Sequence, residues 1–332
     1  MTLEAQHRTV TTNGITMQIA EQGEGPLVLL CHGWPELGFS WRHQMPALAA
    51  AGYRAVAPDL RGYGRTDAPD DIAAYSIIHL VGDLVGLVAA LGETSAILVG
   101  HDWGATVTWA AAMMRPDLFP VIAVLSVPRR ARSPARPLEM LQKQGISNWY
   151  WQYFQKPGVA EAEFERDVEY SMRCAFCGHG LSLLLKDGFG FLGDPAIPRE
   201  LPGWISGQDA AQFVESYRRT GFRGGLNWYR NIDRNWELTA PWEGTLIHQP
   251  TLFIAGTRDP VISGPMGEAA MKQLPEIVPG LKRQLLIEGA GHWIQQQRPK
   301  EVNEALLGFL REAAPATRRR SFDPDPNNRV QG

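Results

Sequence analysis

Residues 95–105 read Ser-Ala-Ile-Leu-Val-Gly-His-Asp-Trp-Gly-Ala. Ile97–Val99 is a short apolar run suited to a buried strand. From Ala105 onward the chain continues Thr-Val-Thr-Trp-Ala-Ala-Ala-Met-Met, which suits a buried helix. Between the two, Gly100 and Gly104 bracket Asp102. A sharp strand-to-helix turn strains the backbone and leaves no room for side chains beside its central residue, so small residues on both sides fit it. Two readings of Asp102 follow. It caps the helix, or it is a nucleophile presented at a helix N-terminus, where the G-x-S-x-G turn carries Ser.

A nucleophile needs partners, and at strand ends they are expected in the order nucleophile, acid, histidine. Pro250–Gly256 reads as a strand and runs into Thr257-Arg258-Asp259-Pro260. Lys282–Glu288 reads as another and runs into Gly289-Ala290-Gly291-His292-Trp293. Asp102, Asp259 and His292 therefore keep the order, each just past a strand. The other site for the acid, after the strand at Val121–Val127, reads Ser126-Val127-Pro128-Arg129-Arg130 and holds no carboxylate. His101 adjoins the nucleophile on a tight turn and is expected to point away from it; His32 is assigned a structural place. An oxyanion hole is expected from two backbone N–H groups. One is that of Trp103, which follows the nucleophile. The other is that of Trp34, in the loop after the strand Leu27–Cys31. Pro35 fixes that loop, and a cis Trp34–Pro35 bond suits it.

The choice of Asp over Ser bears on the substrate. A carboxylate that attacks an sp³ carbon makes an alkyl ester whose carbonyl belongs to the protein. Water activated by His292, itself oriented by Asp259, then attacks that carbonyl. Epoxides and alkyl halides are the two substrate classes that fit.

Further out, the flanks describe an α/β domain. His7–Thr12 and Ile15–Ala20 flank Asn13-Gly14, a strong hairpin signal. Tyr53–Asp59 reads as a strand and residues 40–51 as a helix. Ser76 is the expected N-cap of a helix in which Ile77, Leu80, Val81, Leu84 and Val88 recur at helical spacing. Further helices are expected at 264–274 and 299–312. Alternating strands and helices predict a mostly parallel sheet covered on both faces. From Pro128 to Ile247 the alternation stops, and aromatic and charged residues at helical spacing predict an inserted helical cap with a long loop at 187–206. The division expected is 1–128 core, 129–247 cap, 248–316 core, and 317–332 a disordered tail carrying Arg318-Arg319-Arg320.

The 332 residues carry a net charge of −3, which gives no reason to expect nucleic acid as a partner. No apolar run is long enough for a membrane span. The first residues lack an apolar signal core, and three cysteines are few and odd in number, so a reducing, cytoplasmic location is expected. Cys174-Ala-Phe-Cys177-Gly-His179 offers at most three metal ligands and is read as free thiols in a helix. Eleven tryptophans, several beside these motifs, hint at an aromatic-lined pocket.

The motifs together resemble the soluble epoxide hydrolases of the α/β-hydrolase fold, over nearly the whole chain apart from the tail. The resemblance rests on His32-Gly-Trp-Pro-Glu36, Ser40-Trp-Arg-His-Gln44, Pro58-Asp-Leu-Arg-Gly-Tyr-Gly64, Gly100-His-Asp-Trp-Gly104, Gly225-Leu-Asn-Trp-Tyr-Arg-Asn231 and Gly291-His-Trp-Ile294. It implies two cap tyrosines that bind and protonate the epoxide oxygen. Tyr229 matches the second. The first falls at Tyr150, with Tyr153 three residues along the same helix as the alternative. The partners implied are a small apolar epoxide and water, with no organic cofactor or metal; a homodimer is compatible. Two other functions fit parts of the pattern. A haloalkane dehalogenase shares the Asp nucleophile, but that resemblance predicts Asn where this chain has Trp34. A non-catalytic ligand-binding protein of the same fold is set against an intact set of nucleophile, acid, histidine and tyrosines.

Overall fold

A computed structural model describes residues 4–177, 183–194 and 200–314. Strands β1 (Gln6–Thr12) and β2 (Ile15–Gln22) form the expected hairpin, with Thr12 opposite Ile15. Asn13 and Gly14 take φ of 45° and 77°, the pair of left-handed conformations that a two-residue turn needs to follow the twist of its strands. The remaining strands are β3 (Leu27–Cys31), β4 (Arg54–Pro58), β5 (Ile97–His101), β6 (Val121–Leu125), β7 (Thr251–Gly256) and β8 (Leu281–Ile287). They form one eight-stranded sheet in the order β1-β2-β4-β3-β5-β6-β7-β8. Pairings from β4 to β8 are parallel, while β1–β2 and β2–β4 are antiparallel.

The central strands are apolar end to end because both faces of the sheet are covered. Leu29, Leu98, Val124 and Phe253 point to one face, into a core shared with helices α2 (Ile77–Ala90) and α3 (Trp103–Met114). Their sequence neighbours Leu30, Val99, Ala123 and Ile254 point to the other, against α1 (Gln44–Ala50) and the C-terminal helix at Pro299–Ala313. Truncating one such residue, Leu98 for example, is expected to cost about 2–5 kcal/mol. The fold is thus the α/β architecture expected, with a mostly parallel sheet.

Between β6 and β7 the described chain is helical: α4 (Pro137–Lys143), α5 (Tyr150–Phe154), α6 (Val159–Arg166), α7 (Val168–Cys177), α8 (Gly207–Thr220), α9 (Arg223–Arg230) and α10 (Ile232–Leu238). This segment is called the cap below. One antiparallel bridge, Trp149 to Leu184, interrupts the helices. After β7 come α11 (Pro265–Ile277), the short α12 (Ile294–Gln297) and α13 (Pro299–Ala313). Cys174 and Cys177 lie in α7, and the described residues hold no group of three candidate metal ligands. His179, part of the loop at 187–206 (residues 195–199) and the tail with Arg318–Arg320 lie outside the described residues.

Two local expectations are corrected. Residues 40–51 are not one helix, because a separate 3-10 turn at Gly38–Trp41 precedes α1. Ser76 stands at the head of α2 but does not cap it with its side chain. Its Oγ lies 2.8 Å from His79 Nδ1, and the Ile77 N–H donates instead to Asn235 Oδ1 at 2.7 Å. The cap segment thus finishes a core helix. No helix of the described residues is long and apolar enough to cross a membrane.

Candidate active site

The turn between β5 and α3 holds Asp102 at φ 53°, ψ −116°. Steric necessity explains its glycines. A Cβ on Gly104 would lie 2.1 Å from the Cys31 carbonyl oxygen, and one on Gly100 would lie 2.3 Å from that of Gly104. Asp102 occupies the N-cap position yet makes no capping hydrogen bond. Its Oδ1 instead accepts the Trp34 backbone N–H at 2.8 Å. Its Oδ2 lies 3.4 Å from His292 Nε2. Trp34 sits in the loop after β3, and its bond to Pro35 is cis. Trp103 opens α3, where backbone N–H groups have no acceptor within the helix.

Asp259 follows β7 and is fully buried. Its carboxylate faces His292 Nδ1 at 2.9 and 3.1 Å and accepts the Val261 N–H at 2.9 Å. Burial works against its charge, but the attraction and hydrogen bond of His292 prevail, so its pKa is lowered. For His292 burial again disfavours the charged form. The two carboxylates on either side outweigh burial and raise its pKa well above the usual histidine range. The imidazole is thus strung between nucleophile and acid, one ring nitrogen to each.

A buried network lies behind these groups. Glu36, wholly buried, accepts from the Gly33 N–H at 3.0 Å and from the side-chain amides of Gln295 and Gln296, each at 2.9 Å. His101 points away from the nucleophile, as expected. Its Nδ1 meets Glu36 Oε2 at 2.7 Å, and its Nε2 donates to the His292 carbonyl at 2.8 Å. Ser126 Oγ donates to the same carbonyl at 3.0 Å. Burial pushes the Glu36 acid up, yet the charge and hydrogen bond of His101 dominate and hold it at about 2. This hub ties the loop that carries Trp34 to the loop that carries His292. His32 is structural: its Nε2 accepts the Leu60 N–H at 3.0 Å and its Nδ1 donates to the Gly33 carbonyl at 2.8 Å.

The tyrosines come from the cap. Helix α9 is docked on the core by side chains flanking Tyr229. Trp228 Nε1 donates to the Arg61 carbonyl at 3.0 Å, and Asn231 Nδ2 to the Ile72 carbonyl at 2.6 Å. Gly224 passes so close to Gly62 that a Cβ would lie 2.1 Å from its carbonyl oxygen. Tyr229 thereby reaches the nucleophile turn, its ring edge-on to Trp103 at 5.1 Å and to Trp34 at 5.7 Å. Tyr150, first residue of α5, lies 5.7 Å from Tyr229 between ring centroids. Tyr229 is buried and Tyr150 partly buried, and loss of solvation, reinforced by the nearby Asp102 charge, raises their pKa values. They stay protonated at neutral pH and can donate. Tyr153 lies near Glu163, whose charge adds to burial in raising its pKa, and of the two candidates Tyr150 is the one whose ring meets that of Tyr229.

The structure therefore brings Asp102, Asp259, His292, Trp34, Trp103, Tyr150 and Tyr229 together. Sequence reasoning quoted Glu36 within a motif but gave it no role; a lone acid in the turn after a buried strand was the signal. Gln295 and Gln296 gave none, since a short polar run after a histidine resembles any exposed helix start.

A model of the alpha/beta hydrolase family matches residues 28–305. Epoxide hydrolase A of Mycobacterium tuberculosis is 45% identical over 314 residues, spanning 91% of this chain and 96% of that protein. Epoxide hydrolase 3 of Siraitia grosvenorii is 40% identical, spanning 92% and 98%. Among solved structures, epoxide hydrolase A from Mycobacterium thermoresistibile is similar with a TM-score of 0.87 at 45% identity, covering 92% of this chain and 98% of that one. An epoxide hydrolase from Vigna radiata gives 0.88 at 40% identity, covering 93% and 98%.

Proposed function

The chain belongs to the α/β-hydrolase family and, within it, to the epoxide hydrolases, and from that premise we propose how its residues convert an epoxide and water into a vicinal diol. With Oδ1 of Asp102 engaged by Trp34, Oδ2 attacks a ring carbon of the epoxide. The carbon–oxygen bond breaks, and the ring oxygen takes a proton from Tyr150 or Tyr229. The phenols lie on the cap side and the carboxylate on the core side, so nucleophile and donors approach from different elements.

The product of that step is an ester of Asp102. Esterification removes one of the two charges that raise the His292 pKa, so the imidazole becomes available as a base. It removes a proton from water, and the hydroxide adds to Cγ of Asp102. The developing oxyanion is stabilised by the N–H groups of Trp34 and Trp103. Collapse expels the diol as an alkoxide, which takes its proton from the imidazolium; the carboxylic acid left on Asp102 then releases its proton, which balances the one that the phenolate regains, so that carboxylate and phenol are both restored. Asp259 orients His292 and stabilises its cation throughout.

The observation that carries this reading is the division of the Asp102 carboxylate between the Trp34 N–H at 2.8 Å and His292 Nε2 at 3.4 Å. The test is His292→Gln. The variant should be alkylated but not turn over, gaining the full mass of one epoxide on Asp102. A folded variant that gains no mass from an epoxide consumed by the unaltered protein contradicts the two-step route.

A further inference from the structure

Tyr150 sits on a five-residue helix, too short to hold its own geometry. Its position therefore has to be fixed from outside. The chain at 183–192 does this from one side. The Tyr150 N–H donates to the Leu183 carbonyl at 3.0 Å, the Leu185 N–H to the Asn148 carbonyl at 2.7 Å, and Asn148 Nδ2 to the Leu185 carbonyl at 2.8 Å. Further along, this strap presents Phe191, 5% exposed, whose ring lies 5.5 Å from that of Tyr150 with 35° between planes. Phe191 also packs on Phe154 at 5.0 Å and on Trp34 at 5.7 Å.

The far end of the strap is gripped by a carboxylate. Glu163, on α6, accepts the Phe191 N–H with Oε2 at 3.0 Å and the Leu192 N–H with Oε1 at 3.1 Å. A carboxylate gripping two successive N–H groups makes charge-assisted bonds, stronger than neutral ones. The approach is tight: a Cβ on Gly190 would lie 2.2 Å from Glu163 Oε1.

We propose that Glu163 is a positioning residue for the epoxide-opening step: by clasping the 190–192 backbone it seats Phe191 against Tyr150 and sets both the aim of that phenol and the size of epoxide admitted beside it. The proposal rests on the reading of Tyr150 as a donor to the epoxide oxygen. Glu163 touches no reacting atom, so its loss acts through Tyr150 and Phe191. Misplacing a donor by about 1 Å can cost about a hundredfold. A partly released strap is expected to cost about tenfold in ring opening.

Two variants break the clasp by different routes. Glu163→Gln keeps the volume but presents an amide donor to one of the two N–H groups. Gly190→Ala leaves Glu163 intact and displaces its carboxylate. Both are compared with Tyr150→Phe in single-turnover kinetics, with styrene oxide and a bulkier stilbene oxide as probes. Alkyl-enzyme formation and decay are followed separately, and the melting temperature is recorded. The expected result is slower alkylation of about tenfold in both clasp variants, unchanged decay, and a shifted ratio of rates between the two epoxides. Equal slowing of both steps, or no change in alkylation, overturns the proposal. If Tyr150→Phe slows alkylation while the clasp variants do not, the clasp fails and the reading of Tyr150 stands. If none of the three slows it, the reading of Tyr150 fails and the proposal with it.

Discussion

The two halves of the site are built by opposite means. The core half, with Asp102, Trp34, Asp259 and His292, hangs from the ends of four parallel strands: β3, β5 and β7, buried throughout, and β8, the largely exposed strand at the sheet edge. Each group lies within a few residues of a strand end, and the Glu36 hub locks the loops together. The cap half, with Tyr150 and Tyr229, rides on short helices that depend on distant contacts: Asn231 to Ile72, Trp228 to Arg61, Glu163 to the strap. The contrast suggests a division of labour. In the proposed mechanism the core half carries a chemistry that does not vary with the substrate, and the cap half sets where the epoxide oxygen lies and what fits around it.

Substitutions on either side can break this comparison. The largest effect is expected from Asp102→Ala, which removes the proposed nucleophile and should lower diol formation by about 10⁴-fold or more at unchanged stability. Diol formation near the unaltered rate, measured by product chromatography, would place the chemistry elsewhere.

Glu36→Gln tests whether the core half is rigid because of its buried hub. Removing one partner of a buried charged pair costs about 3–5 kcal/mol, and denaturant unfolding should show a loss of that size. The pH dependence has a definite sign. The Glu36 pKa is depressed from 4.5 to about 2, so its contribution to stability is present above pH 4.5 and is lost as pH falls toward 2. The unaltered protein should lose stability across that window more steeply than the variant. Parallel acid titrations of the two would remove the hub from the account.

The smallest effect is expected from Tyr229→Phe. With Tyr150 still able to donate, ring opening should slow by about tenfold to a hundredfold, while decay of the ester is unchanged. Burst kinetics separates the steps. An equal loss in both would mean that Tyr229 packs the cap against the core without donating.

The same contrast governs what the sequence made legible. The core half is local. Asn13-Gly14 has to form a tight hairpin turn, an apolar five-residue run has to be buried, and Gly100-x-Asp102-x-Gly104 leaves the nucleophile turn few alternatives. The order of Asp102, Asp259 and His292 follows from strand ends alone. The failures are non-local. Ser76 is the N-cap residue of α2 as expected, but its side chain makes no capping bond, and the first N–H of the helix is taken by Asn235, far along the chain. The helix expected at 40–51 begins as a separate 3-10 turn, because Gly38 sits tightly against the end of β4 and its N–H is held by Asp59. Tyr150 and Tyr153 share one short helix; the motif placed the first cap tyrosine at Tyr150, but the ring contact with Tyr229 that singles it out is made across the cap and leaves no local signal.

The central claim is that Asp102 attacks carbon and is itself hydrolysed. A single turnover with protein in excess, run in water enriched in ¹⁸O, tests it most directly. The account predicts that the first-turnover diol is unlabelled, its new oxygen drawn from Asp102, and that the peptide containing Asp102 gains the label. Label in the first-turnover diol, with none in Asp102, would mean that water attacks the epoxide directly and would contradict the account.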